Sequence, residues 1–447
     1  GRILKQQGVE EEAIAAYAEA VKTLKTLRSD LVALNPDIQY DFRDEVEPVY
    51  RQFVELLFDN PNQKHLEEAR LAIEALQLAE LDNFFREACL QAEPQQIDKI
   101  DNQAAVLYTI ILNDRLETIL SSPQQPLSHY TTILPENFEA VANELRESIS
   151  IDVRFNSEGY LKPAQQIYQW LFPPELEAKL DELATQQSLK TLVFVLDGVL
   201  RSLPIAALHD GEKFFIEKDY AIAFTPGLQL ISPKPFQQVR QRAVVAGISE
   251  RAPSYQTVPG NWNVLANVAG ELTGVSESID RDRLLSNEQF TRESLQHELD
   301  LQPSEIVHIA THGQFGSTLE DTFILDWVDR VNIPQLNRLL QRQSSQPNAA
   351  IELLVLSACE TAAGDDRAAL GLAGVAVRSG ARSTLATLWS VSDKSTAQFM
   401  RQFYEQLIEN QQTKAELLRQ VQRSFLADET YRHPFYWAPF VLVGNWL

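Results

Sequence analysis

Apolar positions along this chain follow two different rhythms. Up to about residue 91 they recur at three- and four-residue spacing, the mark of helices that bury one face. In "QGVEEEAIAAYAEAV" (7–21), Ala13, Tyr17, Ala20 and Val21 share such a face, and Gly8 ends the helix before it. "EPVYRQFVELLFD" (47–59) and "KHLEEARLAIEALQLAELDNFFREACLQ" (64–91) continue the pattern. Near residue 104 the runs become continuous. "AAVLYTIILNDRLETIL" (104–120) reads as two strands around an "NDR" turn. Further strands are predicted at 191–200, 220–226, 243–249, 305–313, 351–359, 382–391 and 438–446, with helical stretches between them. Strands that are apolar throughout, separated by helices, predict a parallel or mixed sheet covered on both faces. They form two sets, with a seam at Pro233 and Pro235.

The first 35 residues resemble the second half of a tetratricopeptide (TPR) repeat. Gly8, Ala13, Tyr17 and Ala20 fall where that motif carries Gly, Ala, an aromatic and Ala. One such unit cannot bury its face alone, so further repeats are expected upstream of Gly1. The only Met is Met400, and the sequence reads as a fragment of a longer protein. The expected division is a TPR-like segment at 1–35, a helical linker region at 36–100, one α/β half at 101–240 and a second at 241–447.

Charge narrows the partners. Asp plus Glu outnumber Lys plus Arg by 62 to 39, a net charge of −23. Nucleic-acid binding draws on basic side chains at phosphates, so no direct nucleic-acid contact is expected. An acidic surface favours basic segments of other proteins instead. No apolar stretch approaches the ~18 residues of a membrane span. Two cysteines, Cys89 and Cys359, do not make a disulfide framework, and a reducing cytoplasm is the expected compartment. Cys89 lies in a helical pattern and reads as a buried thiol.

Chemistry concentrates at two strand ends. "EIVHIATHG" closes on His312-Gly313, and "IELLVLSAC" closes on Cys359, 47 residues on. In open α/β sheets ligands bind at the carboxyl ends of the strands. If these strands are neighbours, His312 and Cys359 meet there, and the imidazole supplies the thiolate that attacks a carbonyl. Gly313 lets a backbone approach closely, and its N–H with that of Cys359 forms a candidate oxyanion hole. His308, inside the strand, reads as a framework histidine. No further ligands stand at useful spacing from His308 and His312, so neither zinc nor any other metal or cofactor is expected.

A His-Gly after one strand and a Cys about 50 residues on, after another, is the caspase arrangement. "ATHG", "SACET" and "LGLAGVAVRSGARSTLATLWSVSD" (370–393) together resemble the CHAT family, caspase-like peptidases related to separases and commonly preceded by TPR repeats. "DGVLRSLPIAALHDG" (197–211) resembles the marker of the family's upstream, degenerate half. The resemblance implies an α/β fold: a caspase-like α/β/α sandwich, with a pseudo-caspase half and an active half, preceded by an all-α TPR-like segment. It implies His312 as general base or proton shuttle, Cys359 as nucleophile, and Gly313 and Cys359 as oxyanion donors. "FVLDG" offers neither Cys nor His at its strand end, as befits a non-catalytic half.

The resemblance also implies a specificity pocket. "TLWSVSDKS" (387–395) resembles the separase segment that lines it, with Asp393 at the acidic position and Trp389 as an apolar wall. A carboxylate at the pocket floor selects a basic residue before the scissile bond, Arg above Lys when it is engaged bidentately. Locally, Asp393 reads equally well as the cap of a helix beginning near Lys394. Asp365 and Asp366 are the other candidate carboxylates. The function expected is a cysteine endopeptidase acting on a specific protein after a basic residue and directed by a partner on its TPR-like segment. The alternative is a quiet interaction scaffold.

Overall fold

The computed structural model describes residues 1–34, 42–85, 97, 100–150, 158–228, 235–236, 242–279, 281–316, 318–344, 350–361, 375, 378–409 and 411–447. Cys89, Asp365 and Asp366 lie outside them. Among the described residues no helix is long and apolar enough to cross a membrane. The chain forms two compact units. The first comprises Gly1–Phe138, Trp170–Gly198 and Thr225–Leu230; the second comprises Glu139–Gln169, Val199–Phe224 and Ile231–Leu447. Residues 139–169 and 199–224, which the sequence reading assigns to the upstream half, thus belong to the unit that holds 242–447.

The first unit opens with helices Arg2–Gln6, Glu10–Leu34, Glu47–Asp59 and Gln63–Phe85. Gly8 adopts φ +74° between the first two, a turn conformation that costs glycine little. Ala13, Tyr17 and Val21 are buried. The Tyr17 ring stacks on Phe53 at 6.4 Å, and its hydroxyl donates to Gln52 Oε1 at 2.9 Å. Helix Glu47–Asp59 buries Tyr50, Phe53, Val54, Leu56, Leu57 and Phe58, which makes it the centre of the helical layer. The sheet of this unit has strands β1 (Ala104–Ile111), β2 (Arg115–Ser121), β3 (Ser128–Ile133) and β4 (Thr191–Val195). Strand β1 runs parallel to β4 and antiparallel to β2, and β2 pairs antiparallel with β3.

Just past the end of β4, the "FVLDG" motif does structural work. Asp197 is 1% exposed. Arg51 donates to both its oxygens, at 2.7 and 3.0 Å, and the Ile111 N–H donates to it at 2.8 Å. Arg51 also donates to Glu47 at 2.7 Å and to the Ile111 carbonyl at 2.8 Å. Burial works against the Arg51 charge, but Asp197 and Glu47 outweigh it and raise its pKa. A buried carboxylate is tolerable only with such pairing, and here the pairing ties helix Glu47–Asp59 to the sheet.

The second unit contains β5 (Ala221–Phe224), β6 (Arg242–Gly247), β7 (Arg281–Ser286), β8 (Ile306–Phe315), β9 (Phe323–Leu325), β10 (Arg330–Asn332), β11 (Leu353–Thr361), β12 (Ser383–Thr387) and β13 (Phe440–Gly444). Along the sheet the order is β10-β9-β8-β11-β12-β13-β5, with β6 pairing β8 and β7. Strands β6, β7, β8, β11 and β12 are mutually parallel, so their carboxyl ends share one edge. Strand β13 returns antiparallel to β12 and parallel to β5. Helices Val268–Glu277 and Asp393–Glu409 pack against each other. Both reach β8, where His308 lies 3.1 Å from Glu271 Oε1 and 3.2 Å from the Tyr404 hydroxyl. All three residues are essentially buried.

Candidate active site

The pairing of β8 with β11 sets the geometry. Leu353 lies opposite Ile306, and the register runs evenly to Ser357 opposite Ala310. It then slips: Cys359 stands opposite Gly313. Thr311 and His312 therefore face Ala358 alone, a β-bulge in β8. Such bulges kink a strand and re-aim its side chains. Thr311 anchors this one, its buried hydroxyl donating to the Leu325 carbonyl at 2.9 Å. In an unbroken strand His308 and His312 would share a face. Instead they sit in different surroundings, His308 among Glu271 and Tyr404 and His312 in an aromatic recess. The backbone of Cys359 thus lies across from the residue next to His312.

Tyr255, Trp262 and Asn263 are among the groups that hold the His312 ring. Tyr255 meets it edge-on at 5.2 Å between centroids, and Trp262 lies tilted against it at 5.3 Å. Its Nε2 lies 2.6 Å from the Asn263 carbonyl oxygen. A carbonyl only accepts, so Nε2 carries the proton and donates. In the neutral ring Nδ1 then presents the lone pair, which makes it the atom that takes a proton. Trp262 is held in turn by its indole N–H on the Val258 carbonyl at 3.0 Å. Gly260 precedes it at φ +151°, and a Cβ there would run into the Trp262 ring. Tyr255 is 7% exposed, and its hydroxyl finds no hydrogen-bond partner among the described residues. Burial pushes its pKa up to about 12, so it stays protonated as a donor at neutral pH.

The chain after β12 supplies the next groups. Trp389 is 6% exposed and donates its indole N–H to the Phe435 carbonyl at 3.3 Å. Asp393 is the first residue of helix Asp393–Glu409 and half-buried. Both its oxygens accept from Asn267: Oδ2 from the backbone N–H and Oδ1 from Nδ2, each at 2.9 Å. Neither oxygen caps its own helix.

The family model of the CHAT domain matches residues 161–445. This chain belongs to the CHAT domain family. The match takes in His312, Gly313, Cys359, Trp389 and Asp393. Two crystal structures of the Saccharomyces cerevisiae separase–securin complex match this chain. One has a TM-score of 0.50 at 11% identity, covering 96% of this chain and 40% of that one. The other has a TM-score of 0.48 at 11% identity, covering 99% and 38%. The CHAT chain thus spans about two fifths of those separase chains. The fold is the caspase-like α/β fold of separase. No curated protein matches the sequence.

Tyr255, Trp262, Asn263 and Asn267 carry no motif that marks them in the sequence. They lie on the connection that leaves β6, at the carboxyl edge of the sheet and beside β8. No spacing marks them. The one signal was position, because connections at that edge are where α/β proteins build their sites. Gly313 pairs with Cys359 on one side and Ile324 on the other. The pairing of β11 with β12 covers Leu353 to Leu356, so Cys359 stands beyond it.

Proposed function

We propose that this chain is a CHAT cysteine endopeptidase that cleaves a specific protein after a basic residue, with Arg preferred. The observation that carries this reading is the slipped register that sets Cys359 opposite Gly313, next to a histidine whose Nε2 is committed to Asn263. His312 takes the Cys359 proton on Nδ1. The thiolate adds to the scissile carbonyl carbon, and the N–H groups of Cys359 and Gly313 receive the developing oxyanion. The amine leaves with the proton held by His312, and water then releases the acyl group from Cys359. Asp393 takes the guanidinium of the residue before the bond, and Trp389 packs along its stem, with Asp365 and Asp366 as the alternative carboxylates. A partner bound at the TPR-like segment directs or switches the enzyme, and the cytoplasm is its compartment.

The test is covalent labelling with an arginyl acyloxymethyl ketone, followed by peptide mapping. Selective modification of Cys359 and not Cys89, lost in His312→Ala, supports the reading. Failure of Cys359 to react, or equal reaction at Cys89, removes it. New protein N-termini formed by the wild type and not by Cys359→Ala would then name the substrate.

A further inference from the structure

Asn267 occupies the N-cap position of helix Val268–Glu277, yet its side chain makes no cap bond to that helix. An asparagine there ordinarily accepts from the second or third amide of its helix. Here the side chain turns away, and Nδ2 donates to Asp393 Oδ1 at 2.9 Å while the backbone N–H donates to Oδ2 at 2.9 Å. We infer that Asn267 is the positioning residue for the Asp393 carboxylate, and that the segment Asn263–Asn267 links that carboxylate to His312. This inference rests on the basic-residue pocket proposed above.

The stereochemistry supports it. An ionised carboxylate offers about four lone-pair sites. Asn267 uses one on each oxygen, which leaves one on each for the two parallel N–H groups of a guanidinium. A half-buried Asp side chain turns about two torsions. Two donors, one per oxygen, fix the plane of its carboxylate, and a fixed plane is what distinguishes a forked Arg from a point-charge Lys. Both donors belong to one residue, so the plane follows the backbone of the loop. Four residues back, the same loop gives the Asn263 carbonyl to His312 Nε2 and lays Trp262 against the imidazole. Four residues span at most about 14 Å of extended chain. An arginine seated on Asp393 therefore bears on the segment that orients the base, so the fit of the specificity residue reaches turnover as well as binding.

The experiment uses the full chain and two fluorogenic peptides that differ only in Arg or Lys before the scissile bond. The variants are Asn267→Ala, Asn267→Ser and Asp393→Ala. Serine is a good N-cap, so Asn267→Ser keeps the helix start while removing the amide donor. Both Asn267 variants should raise KM for the Arg peptide about tenfold, as the loss of one hydrogen bond to a charged group predicts. They should affect the Lys peptide less, so the Arg-to-Lys ratio of kcat/KM falls towards one, and kcat for Arg falls with it. A purely structural role would lower the thermal midpoint and leave that ratio alone. If Asp393→Ala abolishes Arg preference but both Asn267 variants keep the wild-type ratio and KM, the pocket stands and the positioning role is gone. If KM for Arg drops in the Asn267 variants, Asn267 is a plug that arginine displaces, and the inference is overturned. If Asp393→Ala itself leaves Arg preference intact, the pocket reading fails and this inference goes with it.

Discussion

Two histidines four residues apart on β8 have opposite surroundings, and the difference predicts different phenotypes. His308 is fully buried between Glu271 and Tyr404. His308→Ala leaves a buried carboxylate and a buried hydroxyl short of a partner and opens a cavity. The expected loss is about 2–4 kcal/mol of stability, read as a shift of the urea midpoint, with Cys359 still reactive in the folded fraction. A His308→Ala protein of native stability would contradict this framework role. His312 is held by Tyr255, Trp262 and Asn263. His312→Ala and Cys359→Ala should each reduce peptide hydrolysis by roughly three orders of magnitude or more, with the thermal midpoint little changed. Normal cleavage by Cys359→Ala would end the proposed mechanism. Tyr255 offers a subtler check. Its buried hydroxyl has no partner among the described residues, and an orphaned donor costs free energy. Tyr255→Phe should therefore hold or raise the melting temperature, and a clear drop would reveal a hydrogen bond made by the hydroxyl in solution.

Strands and helices differed in how plainly the sequence announced them. The apolar runs at 104–120, 191–200, 220–226, 305–313, 351–359 and 438–446 all contain strands, because a strand buried on both faces must be apolar at every position. Strands β3, β7, β9 and β10 were not legible. β3 ("SHYTTI") is half-buried or exposed along its length, β7 ("RDRLLS") is strongly charged, and β9 and β10 have three residues each. Their identity comes from pairing, which local pattern does not carry. The site divides in the same way. Strand-end position marks His312 and Cys359 as candidates. The bulge that sets their register, and the loop that holds His312, depend on tertiary contacts. Asp197 illustrates a further limit: its strand end showed what it was not, and only the structure gave it a task. Arg51→Met should destabilise the first unit by about 3–5 kcal/mol, because Asp197 stays buried without its cation. Asp197→Ala should cost a similar amount. The double variant should lose less than the sum. Additive losses in chemical denaturation would show that the pair is not coupled.

At the scale of the whole chain, the sequence seam at residue 240 and the compact units do not coincide. The second unit includes 139–169 and 199–224, and β5 (Ala221–Phe224) pairs with β13 through Val443 and Phe224. A chain cut to 241–447 loses β5 and the helical segments that complete the unit. It should be poorly soluble or lack a cooperative thermal transition, while the full chain melts cooperatively; a well-folded 241–447 would show that these pieces are dispensable. Charge gives the last prediction. With a net charge of −23, the molecule carries a field that favours basic segments, and a Debye length of about 8 Å at physiological salt confines it to short range. Attraction of this kind raises the association rate and falls steeply with ionic strength. For a cleavage site flanked by further Lys and Arg, kcat/KM should decline several-fold between about 50 and 300 mM salt. A peptide with one Arg in neutral flanks should decline much less, because the ion pair proposed with Asp393 would form at contact, where screening is weak. Equal salt dependence of the two peptides would mean that the acidic surface plays no part in substrate capture, and would leave recognition to the pocket alone.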